Sequence, residues 1–216
     1  MSLPCLALVT DRRLAGERTL EEVVARAVDG GVDLVQLREK DLPGGPLLAL
    51  AQRLREVTRQ RALLFVNERV DVALACGADG VQLGEKALPV AVARQLAGGS
   101  LLIGRSVHTV EGAVEAERQR ADLVVVGTVF PSRSHPGGPV GGTELVRQVA
   151  AAVRAPVLGI GGILLGNAHQ VIHAGAGGVA VVSAIMASRD PAQAARGLRQ
   201  VLQDSWRLRE AGQATA

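Results

Sequence analysis

A (β/α)8 barrel in a single domain is the fold this sequence predicts, and three observations carry that expectation. Short apolar, β-branched runs recur along the chain, each followed by a segment of helical spacing, and such alternation builds a parallel sheet covered by helices. The 216 residues suit one α/β domain near the lower end of barrel sizes. Two late turns, Gly159-Ile160-Gly161-Gly162-Ile163 and Val179-Ala180-Val181-Val182-Ser183-Ala184-Ile185, fall where strands 7 and 8 of such a barrel would end. An open doubly wound sheet is the rival; no glycine-rich fingerprint follows the first strand, which argues against it.

The elements follow in order. Cys5-Leu6-Ala7-Leu8-Val9 is an unbroken apolar run and reads as strand 1. Thr19, with Glu22 three residues on, has the spacing of a capping box opening a helix that runs to residue 29. Strand 2 is expected over 33–37, and Leu47, Leu50, Ala51 and Leu54 give a helix over 47–59. Strand 3 (63–67) precedes a short helix (70–76), and strand 4 (80–83) precedes a helix opened by Pro89 (89–96), a residue suited to a first turn. Strand 5 (101–105), a helix (110–118) and strand 6 (123–127) lead to a Pro/Gly/Ser loop over 131–142. A helix (143–153), strand 7 (156–159), a helix (167–174), strand 8 (178–182) and a closing helix (191–208) complete one domain over 1–209. Residues 210–216 are expected to be a disordered tail.

Composition narrows the function. The only aromatics are Phe65, Phe130 and Trp206, so Ala, Val, Leu and Gly must fill the core, and no stacking platform for single-stranded nucleic acid can be built. A net charge of +3, scattered along the chain, is too weak for a nucleic-acid partner but leaves room for a small anionic phosphate substrate. Cys5 and Cys76 lie in apolar context without metal spacing; two reduced thiols imply a cytoplasmic protein. No signal peptide and no membrane-spanning run is expected, and a homo-oligomer remains open.

Barrel enzymes carry their reactive groups at strand C-termini. The two late turns combine glycine, which lets backbone N–H groups approach a ligand, with a following helix start, and so read as a phosphate cup at Gly161, Gly162, Val182 and Ser183. Strand 2 ends Gln36-Leu37-Arg38-Glu39-Lys40, where alternation puts Gln36, Arg38 and Lys40 on one side, a set suited to phosphate or diphosphate. Strand 3 ends at Asn67-Glu68, an amide and a carboxylate that could serve as metal ligand, base or helix start. Strand 5 ends in Ser106-Val107-His108, and His108 is either a general base or a helix cap. After strand 6 come Thr128 and then Ser132-Arg133-Ser134-His135, hydroxyls, a guanidinium and an imidazole on what reads as a lid over an anionic substrate.

Taken together these stretches resemble the thiamine phosphate synthase/TenI family. The likeness spans roughly 6–203 and rests on Gln36-Leu37-Arg38-Glu39-Lys40, on Asn67-Glu68-Arg69-Val70-Asp71-Val72-Ala73-Leu74, and on Gly77-Ala78-Asp79-Gly80-Val81-Gln82-Leu83-Gly84. Gly104-Arg105-Ser106-Val107-His108, the loop 130–135 and the two late turns complete it. The resemblance implies a (β/α)8 barrel and one of two activities: a synthase that joins an aminopyrimidine diphosphate to a thiazole phosphate with release of diphosphate, or a TenI-type tautomerase that aromatises a carboxythiazole phosphate. It implies further that Gln36, Arg38, Lys40, Asn67 and Ser106 hold the pyrimidine diphosphate, that Ser132 and Ser134 hold the thiazole, and that Gly162, Val182 and Ser183 hold its phosphate.

Departures from the synthase pattern point toward the tautomerase. The family's two Mg²⁺-binding aspartates correspond to Glu68 and Ala87, and His135 stands where the synthase has lysine. The expectation is therefore a thiazole tautomerase without a metal or other cofactor, with His135 as acid/base group and His108 as the second candidate. A synthase, with Glu68 toward Mg²⁺, is the alternative, and a non-catalytic thiazole-phosphate-binding regulatory protein the second alternative.

Overall fold

The computed structural model of the protein describes residues 1–132 and 139–214. Its strands are β1 (Cys5–Val9), β2 (Leu34–Leu37), β3 (Leu63–Asn67), β4 (Gly80–Leu83), β5 (Leu102–Val107), β6 (Leu123–Gly127), β7 (Val157–Ile160) and β8 (Gly178–Val181). All pair in parallel, each with the next, and β8 returns to β1 to close the barrel. Around it lie α1 (Leu20–Asp29), α2 (Gly44–Thr58), α3 (Val70–Ala75), α4 (Val90–Ala97), α5 (Val110–Arg118), α6 (Gly142–Ala152), α7 (Ala168–His173), α8 (Ser183–Met186) and α9 (Pro191–Ala214). The expected fold class is thus the observed one. None of the described helices is long and apolar enough to cross a membrane.

The capping box that opens α1 is made as its sequence implies. Thr19 Oγ1 accepts the Glu22 N–H at 3.2 Å, and the Glu22 carboxylate accepts the Thr19 N–H at 2.8 Å. Two boundaries differ for physical reasons. β5 continues through Ser106 and Val107, because Arg105 and Ser106 pair with Val124 and Val125 of β6; a polar residue does not end a strand whose neighbour still offers partners. α9 continues past residue 208 to Ala214. There Arg209 packs over the Trp206 ring and donates to the Ile172 and Ala176 carbonyls, fastening the last turns to α7.

Alternation along each strand separates two apolar layers. Leu6, Leu8, Val35, Leu37, Leu64, Val66, Val124 and Val126 face the helices. Cys5, Ala7, Val9, Leu34, Phe65, Leu123, Val125, Leu158 and Ala180 fill the barrel. Phe65 is the one aromatic in that interior cluster, and Gly80 opposite makes room for it: a Cβ there would lie 2.5 Å from the ring. Burial inside the barrel pushes the Cys5 thiol up to about 12, so it stays protonated and inert.

The N-terminal end is bolted by a repeated device. Asp33, Asp79 and Asp122 each precede an even-numbered strand and donate an N–H to the strand before, at Leu6, Leu64 and Ile103. Each carboxylate accepts the N–H of the same residue it bonds, at 2.8, 2.8 and 2.7 Å. Each also meets an arginine from a flanking helix: Arg199, Arg55 and Arg94. Gly177 occupies the fourth such position, before β8, and keeps only the backbone bond, to Val157 at 2.7 Å. Replacing Asp79 with alanine strips an acceptor from Leu64 N–H and leaves Arg55 half-buried without its carboxylate. The expected cost is about 2–3 kcal/mol, read as a lower urea midpoint with an unchanged slope; a midpoint equal to wild type would show that this bolt carries no stability.

Candidate active site at the C-terminal mouth of the barrel

The inward-facing positions change character near the C-terminal ends of the strands. On β2 to β5 they become Gln36, Asn67, Gln82 and Ser106; on β6 to β8 they remain Gly127, Ile160 and, just beyond the strand, Val182. One half of the mouth is therefore polar and the other apolar. Gln36 Nε2 donates to Asn67 Oδ1 at 2.9 Å, and Gln82 Nε2 donates to Ser106 Oγ at 2.9 Å. Gln36 and Gln82 are both buried, so these bonds meet the requirement that a buried amide be partnered. Gly104 allows the second bond: a Cβ there would sit 2.0 Å from Gln82 Oε1.

Two cations rise above the polar half. Lys40 Nζ lies 3.7 Å from Glu68, and the Arg38 side chain makes no hydrogen bond or ion pair among the described residues. Arg105 is not a third free cation, because it donates to the Glu85 and Leu88 carbonyls and pins that loop. Glu68 adopts φ 61°, with its N–H donated to the Gln82 carbonyl and its carboxylate lying over Gly84.

The glycine cup lies across the mouth. Gly161 and Gly162 have φ of 104° and 63°, a region that disfavours any Cβ. Phe130 donates its N–H to the Gly161 carbonyl at 3.0 Å, and a Cβ on Gly162 would strike the Pro131 and Phe130 carbonyls at 2.4 and 2.7 Å. Asn167 holds the turn from outside, with Nδ2 to the Gly162 carbonyl and Oδ1 from the Leu164 N–H. The N–H groups of Gly162 and Ser183 enter no hydrogen bond among the described residues, so both can serve an anion. Only the second turn leads straight into a helix, α8 at Ser183; after Gly162 the chain stays irregular until α7 opens at Ala168.

The structure therefore brings Gln36, Arg38, Lys40, Asn67, Glu68, Ser106, Thr128, Gly161, Gly162, Val182 and Ser183 to one end of the barrel. Thr128 packs against Gly161, and Ser132 follows in the same segment. His108 lies beyond β5, exposed, with Nδ1 on the Gly127 carbonyl. Arg133, Ser134 and His135 lie outside the described residues. Gln82, Thr10 and Glu39, which residue-type reading passed over, lie at the same end of the barrel, bonded to Ser106, to Arg38 N–H and to Thr10. Gln82 sat inside a quoted motif, and its inward parity with Asn67 was the available signal.

A Mg²⁺ ion needs near-octahedral oxygen coordination. Glu68 offers one carboxylate, already beside Lys40, and Ala87 brings a methyl group to the second position. Asp71 is engaged by Arg69. Among the described residues no three His, Cys, Asp or Glu side chains gather as a metal site would require. The residues present do not fit the two-aspartate site that the resemblance implies.

The closed parallel barrel, with its glycine turns and the Arg38–Lys40 segment at the C-terminal end, defines a (β/α)8 protein. The thiamine monophosphate synthase family model (TMP-TENI) matches residues 6–185. The chain belongs to that family. It is 47% identical over 197 residues to the thiamine-phosphate synthase of Roseiflexus castenholzii, covering 90% of this chain and 86% of that protein. With the thiamine-phosphate synthase of Pyrococcus furiosus it shares 42% over 200 residues, covering 92% and 95%. The solved thiamine phosphate pyrophosphorylase from Pyrococcus furiosus superposes with a TM-score of 0.86 at 40% identity, over 93% of this chain and 96% of that one. The 3-hexulose-6-phosphate synthase structure, at 22% identity and a TM-score of 0.68, shares the fold.

These findings overturn the tautomerase expectation. The relatives are named synthases, and the preference for an isomerase falls with that expectation. That preference rested on Glu68 and Ala87 at the family's two Mg²⁺ positions, on His135, and on the stretch Gly104-Arg105-Ser106-Val107-His108.

Proposed function

We propose that the protein is a thiamine-phosphate synthase, which joins an aminopyrimidine diphosphate to a thiazole phosphate and releases diphosphate. One arrangement supports the reading: two candidate anion sites lie at the same end of the barrel, one after β2 and one at the turns after β7 and β8. Arg38 and Lys40 stand above Gln36 and Asn67 on one side, and the Gly161–Gly162 and Val182–Ser183 turns form a cup on the other. A tautomerase acting on a carboxythiazole phosphate has no diphosphate for a second polyanion site to hold. A coupling enzyme needs both, with the reacting atoms between them. Synthase activity in the relatives' names supports the same assignment.

In this reading Gln36, Asn67 and Ser106 orient the pyrimidine, and Arg38 and Lys40 hold its diphosphate. As the carbon–oxygen bond to diphosphate breaks, negative charge grows on the leaving group, and fixed cations stabilise it most at that moment. Thr128, Ser132 and the apolar Ile160 and Val182 receive the thiazole, and the Gly162 and Ser183 N–H groups hold its phosphate. Ser134 completes the pair with Ser132 that the resemblance assigns to the thiazole. No step is routed through a metal.

The test is formation of thiamine phosphate with stoichiometric diphosphate release from both purified substrates. Failure to form product, with both substrates bound, would overturn the reading. The altered metal position gives a second expectation. Ala87→Asp supplies a second carboxylate and should tighten binding of Mg²⁺ alone, measured by calorimetry, by about tenfold over wild type. Unchanged Mg²⁺ binding would show that position 87 does not share a site with Glu68.

A further inference from the structure

We propose that Thr10 and Glu39 are positioning residues that hold Arg38 and Lys40 over the barrel mouth for the diphosphate, a role that rests on the synthase reading. The segment 38–41 alternates cation, carboxylate, cation, carboxylate. Both carboxylates are gripped by one residue: Arg12 donates to Glu39 Oε2 at 2.9 Å and to both Asp41 oxygens at 2.7 Å. Glu39 is buried, and its other oxygen accepts the Thr10 hydroxyl at 2.7 Å and the Arg12 N–H at 3.1 Å. Thr10 Oγ1 in turn accepts the Arg38 N–H at 2.9 Å, and the Thr10 N–H donates to the Gln36 carbonyl at 3.0 Å.

The consequence is a sorted charge pattern. The acids are turned to Arg12 and away from the substrate cations, so they do not neutralise Arg38 and Lys40 from within their own segment. The backbone at Arg38 is fixed by a hydroxyl that is itself fixed by a buried carboxylate. A buried chain of bonds this complete defines one geometry, and small displacements of positioned cations weaken anion binding strongly.

The experiment compares Thr10→Val, Thr10→Ser and Glu39→Gln with wild type. Inorganic diphosphate binding is measured by calorimetry, and KM is measured for each substrate separately. Thr10→Val keeps shape and removes the hydroxyl; it should weaken inorganic diphosphate binding and raise KM for the pyrimidine diphosphate by about tenfold, with KM for the thiazole phosphate unchanged. Glu39→Gln should follow it. Thr10→Ser should recover most of the wild-type affinity. Equal changes in both KM values, a serine variant as impaired as valine, or diphosphate affinity unchanged in Thr10→Val would each overturn the proposal. If Glu39→Gln fails to fold, the valine and serine pair decides alone. The calorimetry needs no turnover, so a wild type that binds diphosphate but forms no product would sink the synthase reading and leave the positioning test standing.

Discussion

Gly162→Asp is expected to abolish binding of thiazole phosphate, with no heat detectable by calorimetry at ligand concentrations that saturate wild type. Two effects act together. At φ 63° any Cβ is strained, and here it would press on the backbone carbonyls of Pro131 and Phe130, which belong to the segment lying over the turn. Those carbonyls are not the far end of a flexible side chain, so the turn itself has to move. The carboxylate also brings negative charge to a place that must receive a phosphate. Gly162→Ala separates the effects, since it retains the clash without the charge. Gly166 provides a control on the same loop, because a Cβ there meets nothing within 4 Å; Gly166→Asp should bind as wild type does. Wild-type affinity in Gly162→Asp would remove the cup from the site.

The barrel was legible because eight short strands and their helices repeat a single pattern, and local signals such as Thr19 and Glu22 act within one turn of helix. The cup and the cations were legible for a related reason: in a parallel barrel the C-terminal ends of strands come together, so Gln36, Asn67, Ser106 and Gly162 need only be located in the strand order. What the sequence hid were partnerships between elements. Thr10, Arg12 and Glu39 meet across β1 and β2, and nothing in the spacing of a threonine and a glutamate 29 residues apart announces it. Asp33, Asp79 and Asp122 carry no sequence signal of their own, although each is bonded to the preceding strand. The misjudged reaction has a different origin. Glu68, Ala87 and His135 are single departures in a chain that is 47% identical over 197 residues to a protein named a synthase.

Arg38→Ala should reduce kcat by about 10²–10³-fold, the loss typical when one preorganised donor to a developing anion is removed. The Arg38 side chain makes no hydrogen bond or ion pair among the described residues, so its charge is available to the leaving diphosphate. Lys40 already shares its charge with Glu68 and is 54% exposed, so Lys40→Ala should cost several-fold less. The loss in Arg38→Ala belongs mainly in kcat. Charge on diphosphate grows as its bond to carbon breaks, and an interaction stronger in the transition state than in the ground state lowers kcat when removed. Arg38→Lys restores charge without the planar fork and should recover only part of the rate. An Arg38→Ala enzyme whose defect is confined to KM for the pyrimidine diphosphate would place Arg38 in ground-state binding alone and move the stabilisation of the leaving group to Lys40.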